Sequence, residues 1–274
     1  MLLGGTVTGV FSSPEEWEEL LVRSGFKAIT APFNCGDDRA LIDRYMKIIE
    51  SHNVKVSEIG VWRNTLEEDN IDYAIGQLRL ADELGIECCV NIAGTISSLK
   101  WDAADRSNFT GENYKTIVKS VRRIIDAVKP TKAFYTLEPM PWMIPDGPDC
   151  YLKLIEDVDR EQFAAHMDFV NMINQPRRFL SSEEFVEECF SKLGKYIKST
   201  HIKDSRMELT GYTTHIDECP PGEGELDYVA VLKILDKYLP SDGAILLEHM
   251  NTFEEYDKAF KYVKNAAVSA GVEV

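Results

Sequence analysis

The sequence predicts an α/β protein built as a single (β/α)8 TIM barrel over residues 1–274. Short apolar runs alternate eight times with amphipathic helical patterns, and this alternation is typical of parallel strands joined by helical crossovers. The length of 274 residues suits a closed barrel of this kind, and no linker or low-complexity segment divides the chain. An open doubly wound sheet is the alternative. It is disfavoured because Gly4-Gly5 lacks the Gly-x-Gly-x-x-Gly pattern of a dinucleotide site.

The eight predicted strands are short, apolar and bounded by polar residues, glycine or proline. They occupy residues 2–8, 26–33, 54–62, 87–94, 133–140, 163–170, 197–202 and 244–247. The first predicted helix opens with Ser13 as cap and Pro14 in its first turn, and Gly85 is expected to end the third. The remaining helices are expected over residues 37–52, 69–84, 108–128, 149–157, from 181 onward, 226–238 and 253–270.

Two segments are expected to be loops. Residues 139–148 contain four prolines and a glycine, which exclude regular structure. Residues 204–225 are polar and rich in proline and glycine, so a long loop is expected after the seventh strand.

Composition narrows the class of protein. A net charge of −16 argues against nucleic acid as a partner, because phosphate backbones are bound by a surplus of Lys and Arg. The six cysteines show no disulfide or zinc spacing and are expected to be mostly core residues in a reducing compartment. The first residues show no export signal, and no apolar run could cross a bilayer. We therefore expect a cytoplasmic protein without nucleic-acid or membrane partners.

Four consecutive strands in the second half of the chain end on an ionisable residue. These residues are Glu138, Asp168, His201 and Glu248. The carboxyl ends of barrel strands meet at one mouth, where active sites are built, so we expect the four side chains to converge. Three carboxylates and one imidazole suit a divalent cation, which would also offset the cost of gathering unpaired charges.

Each of the four residues also has a structural explanation when taken alone. A carboxylate at a strand end is often a salt-bridge partner, Asp168 could cap the turn before Asn171, and a lone His201 could be a satisfied core histidine. Strand alternation places His249 on the opposite face from Glu248, so it is left out of the predicted ligand set. Because four consecutive strands end on such residues, a shared metal site is favoured over four separate structural roles.

Five short motifs resemble those of the xylose isomerase-like barrels, a family that includes sugar isomerases, ketose 3-epimerases, inosose dehydratases and endonuclease IV. They are Leu-Glu-Pro (137–139), Met-Asp-x-x-Asn (167–171), His-Ile-Lys-Asp (201–204), Pro-Gly-Glu-Gly-Glu-Leu-Asp (221–227) and Leu-Leu-Glu-His (246–249). The resemblance implies that the four strand-end residues bind the metal. It also implies that Glu138 and Glu248 move protons, and that the protein is a homodimer or homotetramer.

These residues predict a divalent-metal-dependent sugar isomerase or epimerase. A cation could chelate the carbonyl and adjacent hydroxyl of a ketose or related keto sugar and stabilise an enediolate. If Glu138 and Glu248 act on opposite faces, the carbon centre inverts; if one glutamate does both transfers, an aldose–ketose shift results. We expect one metal ion, with Mn²⁺ first and Co²⁺, Mg²⁺ or Zn²⁺ as alternatives, because oxygen-rich sites discriminate weakly.

Further residues are candidates for contacting the sugar. They are Asn171, Lys203, Arg206, Trp142 and Trp62. Lys203 and Arg206 have a solvated charge as their alternative explanation, and Trp62 has core packing. The loop at Gly222-Glu223-Gly224 lies where barrels often bind phosphate, but its acidic residues favour an unphosphorylated sugar.

Three rival functions are weighed against this prediction. A metal-dependent keto-sugar or inosose dehydratase begins with the same proton abstraction and then expels hydroxide. An endonuclease IV-like hydrolase would need a basic surface and more histidines than the five present. A sugar-binding protein without turnover would bind metal but exchange no proton.

Overall fold

The computed structural model describes residues 1–274 and contains a closed barrel of eight parallel strands, which confirms the predicted fold class. Ten strands occur along the chain: β1 Leu2–Gly5, β2 Ala28–Thr30, β3 Lys55–Gly60, β4 Cys88–Asn91, β5 Phe134–Leu137, β6 Phe163–Asp168, β7 Ile197–Ile202, β8 Asp204–Met207, β9 Ile216–Cys219 and β10 Ala244–Leu247. Around the barrel the order is β1, β10, β7, β6, β5, β4, β3, β2, so β10 is the eighth barrel strand.

The helices follow the predicted pattern with two short additions after β6. They are α1 Pro14–Ser24, α2 Arg39–Ser51, α3 Glu68–Leu84, α4 Gly111–Val128, α5 Pro148–Val158, α6 Phe169–Met172, α7 Pro176–Leu180, α8 Ser182–Leu193, α9 Tyr228–Tyr238 and α10 Phe253–Ala270. Ser13 caps α1 through its side chain, and Gly85 ends α3 in the left-handed conformation, as predicted. None of the helices is both long and apolar enough to span a bilayer.

The core has two parts with different chemistry. A cluster of 61 buried apolar residues includes the side chains that pack between the barrel and its helices. Inside the barrel, beneath its mouth, lies a polar layer that includes Glu58, Cys88, Thr136, His166 and Ser199, all at most 1% exposed. This layer replaces the branched aliphatic residues that usually fill such a barrel.

The segment after β7 corrects the predicted loop over residues 204–225. Strands β8 and β9 pair antiparallel as a hairpin, with Asp204 opposite Cys219 and Met207 opposite Ile216. The hairpin was missed because Asp-Ser-Arg-Met has neither the apolar alternation nor the β-branched residues of a typical strand. It rises beside the barrel mouth and adds side chains to it.

Candidate functional site

The barrel brings together the four strand-end side chains singled out in the sequence. One ligand atom from each of Glu138, Asp168, His201 and Glu248 lies within 4.8 Å of the others. His201 Nδ1 is 3.3 Å from Glu138 Oε1 and 3.1 Å from Glu248 Oε1. Since β5, β6, β7 and β10 are consecutive around the barrel, their carboxyl ends form one side of its mouth.

Strand pairing sets the height of each side chain in this group. Asp168 pairs with His201 between β6 and β7, and His201 pairs with Leu246 between β7 and β10. Glu138 follows β5 directly and its backbone N–H donates to the carbonyl of Asn91 at 2.7 Å. The pairing is staggered by two residues between β7 and β10, because Leu246 and not Glu248 lies opposite His201. Barrel strands are tilted, so a stagger of this kind brings the four strand ends to one mouth.

Asp168 both caps a helix and faces the group. Its Oδ1 accepts the backbone N–H of Asn171 at 2.9 Å and so caps α6, which was the structural explanation weighed for it. Its Oδ2 is buried and accepts no hydrogen bond, although Lys203 Nζ lies 2.7 Å away. Each oxygen thus has its own surroundings, and one of them has unused acceptor capacity.

Lys203 is buried among carboxylates rather than solvated. Its Nζ lies 2.7 Å from Asp168, 2.8 Å from Glu248 and 3.0 Å from Glu218, and the side chain is 1% exposed. Its backbone carbonyl accepts the hydroxyl of Tyr228 at 2.8 Å. The solvated-charge alternative is therefore wrong for Lys203.

The pKa values reflect this crowding. Burial raises the pKa of the Asp168 carboxyl to about 7, with Glu248 and Glu138 acting in the same direction and the Lys203 ammonium opposing them. Burial alone would raise the pKa of Glu248, but His201 and Lys203 outweigh it and hold the pKa well below its usual range. The imidazolium of His201 is disfavoured by burial, yet the surrounding carboxylates raise its pKa well above the usual value. The group therefore favours additional positive charge.

The geometry fits a single divalent cation. Ligand atoms of one such ion lie about 2.0–2.6 Å from it, so any two are at most about 5 Å apart. The four side chains meet this limit, and three carboxylates with one imidazole are a suitable donor set. Oδ2 of Asp168 is a buried acceptor with the Lys203 ammonium beside it and with capacity left for such an ion.

A second group lies directly beneath and was missed in the sequence. Glu58 of β3 is 1% exposed; its Oε1 is 2.9 Å from His201 Nε2 and its Oε2 is 3.2 Å from His166 Nε2. Ser199 Oγ donates to Glu58 Oε2 at 2.6 Å. The available signal was a lone carboxylate in the middle of a predicted buried strand.

A cavity of about 880 Å³ opens onto the group and is lined by Glu138, Asn171, Glu248 and both predicted tryptophans, Trp62 and Trp142. The indole N–H of Trp142 donates to the carbonyl of Asp102 at 2.7 Å, which holds the ring in the cavity wall.

Trp62 adopts a left-handed backbone with φ 48°, and its ring folds back over Gly60. A Cβ at Gly60 would lie 1.8 Å from Trp62 Nε1, so this fold-back requires glycine. A strained backbone at a cavity wall is typical of a functional position.

The two remaining residues predicted to contact the sugar, Asn171 and Arg206, differ in where the structure places them. Asn171 is buried, and its Nδ2 donates to the carbonyl of Pro139 at 2.9 Å and to Glu138 Oε1 at 3.3 Å. Arg206 is exposed and absent from the cavity wall, so its contact with the sugar stays a prediction. Side chains alternate along β8, and Ser205 faces the cavity in its place.

Two ionisable residues of the cavity wall lie beside the strand-end group and were not predicted. Glu218 of β9 approaches Lys203, and its Oε1 is 2.8 Å from His249 Nδ1. His249 Nε2 is 3.2 Å from Glu248 Oε1. His249 was set aside on strand alternation, but β10 ends at Leu247, and His249 turns with φ 58° back toward the cavity. The alternation rule does not apply beyond the end of a strand.

The fold and the strand-end group define a (β/α)8 barrel with a candidate metal centre at its mouth. The chain belongs to the xylose isomerase-like TIM barrel family, whose model matches residues 19–266. No curated protein matches the sequence.

Solved structures share the fold at low sequence identity. A D-tagatose 3-epimerase-like protein is 19% identical over 99% of this chain and 98% of its own, with a TM-score of 0.73. A xylose isomerase-like TIM barrel protein from Mycobacterium smegmatis, solved in complex with magnesium, is 17% identical over 94% and 90%, with a TM-score of 0.70. The probable 3-DHS dehydratase AsbF from Bacillus anthracis is 16% identical over 96% and 98%, with a TM-score of 0.71.

Proposed function

We propose that this protein is a divalent-metal-dependent sugar isomerase or epimerase acting on a ketose or related keto sugar. The observation that carries the proposal is the convergence of Glu138, Asp168, His201 and Glu248 on one side of the barrel mouth, open to a cavity. Two of these residues are glutamates that follow strands β5 and β10, with β6 and β7 between these strands. The two bases can therefore approach a sugar in the cavity from different sides. The likeness to an epimerase-like protein supports this reading.

Glu138, Asp168, His201 and Glu248 would hold the cation, with Mn²⁺ as our first choice. When bound, a divalent cation polarises a carbonyl and stabilises the enediolate that forms when the adjacent carbon loses its proton. The imidazole would bind through Nδ1, because its Nε2 already faces Glu58.

The chain supplies the proton transfers. One of Glu138 and Glu248 takes the carbon-bound proton, and the other delivers a proton to the opposite face. Asn171 holds Glu138 through the 3.3 Å contact from its Nδ2, which limits the positions that the carboxylate can take. Trp62 and Trp142 give the sugar two apolar walls to pack against. His201 and Lys203 lower the pKa of Glu248, which favours its ionised, proton-accepting form.

We further propose that the sugar is unphosphorylated. The backbone N–H groups of Gly222 and Gly224 in the loop before α9 point at the carboxylate of Asp204, at 3.1 and 3.2 Å. They are therefore already occupied by an internal anion and leave no free donors for a phosphate. Glu218 adds a further carboxylate to the cavity wall.

A keto-sugar dehydratase is the second candidate. His249 lines the cavity and its Nε2 lies 3.2 Å from Glu248 Oε1, so a proton donor adjoins a base at the mouth. Such a donor suits the departure of a hydroxide, which a dehydratase requires and an epimerase does not. The solved dehydratase with the same fold supports this candidate.

Product analysis in deuterated water separates the candidates. The Mn²⁺-loaded protein is incubated with a panel of ketoses, and the products are examined by NMR and mass spectrometry. An isomerase or epimerase gives a rearranged sugar with carbon-bound deuterium, whereas a dehydratase gives an unsaturated or deoxy product. A protein that only binds sugar gives neither, and that result would remove both enzymatic proposals.

Two variants test the roles of the glutamates. Glu138→Gln and Glu248→Gln should each lower turnover by about 10²–10⁴-fold, the range for losing a positioned acid or base. Glu223→Gln is the control, because Glu223 pairs with Lys258 outside the barrel mouth. Wild-type turnover in both site variants would refute the two-base proposal.

A further inference from the structure

The polar layer beneath the barrel mouth contains a carboxylate that no step of the proposed reaction uses. Glu58 projects from β3 across the barrel interior to β7, where it meets His201 and Ser199. A fully buried carboxylate costs several kcal/mol unless donors surround it. Its presence in the barrel interior therefore requires an explanation.

The donors around Glu58 define its role. Oε1 faces His201 Nε2 at 2.9 Å and accepts from Thr30 Oγ1 at 3.3 Å. Oε2 accepts from Ser199 Oγ at 2.6 Å and faces His166 Nε2 at 3.2 Å. His166 Nδ1 has no partner, so we assign the ring proton to Nε2, where Glu58 accepts it. Both carboxylate oxygens are thus fully engaged.

The same contacts restrain the imidazole of His201. Glu58 binds its Nε2, and the ring of His166 packs edge-on against it with centroids 4.1 Å apart at 79°. With Nε2–H donated to Glu58, Nδ1 is the nitrogen that can give up its proton to bind a cation. Nδ1 is the atom that faces Glu138 and Glu248.

We infer that Glu58 is a positioning residue that fixes the tautomer and ring orientation of His201 for cation binding. This inference rests on the proposed function, since it assigns Glu58 a purpose only if the strand-end group holds a cation. Glu58 itself does not touch the sugar or the cation. Its effect reaches them through the imidazole.

The alternative is a second cation held by Glu58, His166 and His201 themselves, whose ligand atoms also lie within 4.8 Å of one another. The donor set opposes it. Glu58 already accepts two hydroxyl hydrogens, and His201 Nε2 cannot donate to Glu58 and bind a cation at once. The inference predicts one cation per chain, whereas the alternative predicts two.

Titration calorimetry with Mn²⁺ alone tests the inference on the full chain. Wild type should bind one ion per chain. Glu58→Ala should weaken binding by about 10–100-fold, the usual effect of losing the partner of a metal-bound histidine. Glu58→Gln should weaken it less, because the amide oxygen can still accept the Nε2 proton. Cys88→Ala is the control; it changes the same buried layer beside Glu58, and its sulfur forms its hydrogen bond with Thr136 and none with His201.

The outcomes separate this inference from the proposed function. Unfolding of each metal-free variant is measured alongside, so that a folding defect is distinguished from a change in affinity. Equal Mn²⁺ affinity in wild type and both Glu58 variants, an equal loss in Cys88→Ala, or two ions per wild-type chain would each overturn the inference and leave the proposed function intact. A wild type that binds no divalent ion would overturn both.

Discussion

Lys203 is the buried ammonium that pairs with two carboxylates of the strand-end group, Asp168 and Glu248. Its ammonium contacts Asp168, Glu248 and Glu218 within 3.0 Å and has almost no exposure to water. Burying one lysine among three carboxylates offsets part of their repulsion and leaves the group with excess negative charge. The same ammonium lies close to the atoms that would bind the proposed cation, so we expect it to oppose binding.

Replacing this charge should have opposite effects with and without metal. Lys203→Met leaves three carboxylates uncompensated, which should cost about 3–5 kcal/mol in the metal-free protein. The Tm should fall by on the order of 10 °C. Mn²⁺ should then raise the Tm more in the variant than in wild type, because no ammonium opposes it. Differential scanning fluorimetry in chelator and in Mn²⁺ measures both effects.

The control for this prediction is Lys258→Met. Lys258 pairs with Glu223 at the surface, where such a pair contributes little. Equal Mn²⁺-induced Tm shifts in Lys203→Met and wild type would show that the Lys203 ammonium does not oppose cation binding.

At the residue scale, the sequence predicted the positions that end strands better than those in between. Glu138 and Glu248 stand out because a carboxylate follows an apolar run at a known end of the barrel. Glu58 could not be assigned a partner, because its contacts to β6 and β7 span more than 100 residues of sequence. Glu218 was not recognised, because its segment was predicted to be a loop and is in fact strand β9.

Among the elements, the hairpin of β8 and β9 depends on one carboxylate at its base. Asp204 accepts the backbone N–H groups of Ser205 and Leu226 through Oδ1, and those of Gly222 and Gly224 through Oδ2, all at 2.8–3.2 Å. A Cβ at Gly224 would lie 2.2 Å from Asp204 Oδ1, so the loop can close on the carboxylate only because it has glycine there.

Asp204→Asn should loosen this loop. The amide nitrogen would face backbone N–H donors, leaving two of the four without an acceptor at a cost of about 1–3 kcal/mol each. Amide hydrogen exchange at Gly222 and Gly224 should accelerate by about tenfold or more, because local opening becomes easier. Glu223→Gln, in the same loop, should exchange as wild type does. Unchanged protection in Asp204→Asn would show that other contacts hold the hairpin.

Element boundaries were predicted well where apolar runs are sharply bounded. Strands β7 and β10 and helix α10 occupy the predicted residues. The hairpin and the short helices α6 and α7 were not predicted, because tertiary contacts stabilise them rather than local propensity.

For the whole molecule, the closed barrel explains why distant segments form one site. Eight parallel strands place every carboxyl end at one mouth, so residues 138 and 248 of the sequence lie side by side. The alternation of elements predicts this architecture. It does not predict which side chains cross the barrel interior, since that depends on strand register and shear.

Anomalous diffraction from Mn²⁺-loaded crystals would locate a cation at the barrel mouth. We expect one anomalous peak per chain, about 2.0–2.6 Å from carboxylate oxygens of Glu138, Asp168 and Glu248 and from His201 Nδ1. No peak at the barrel mouth, or a peak bound by Glu58 and His166 instead, would contradict this expectation.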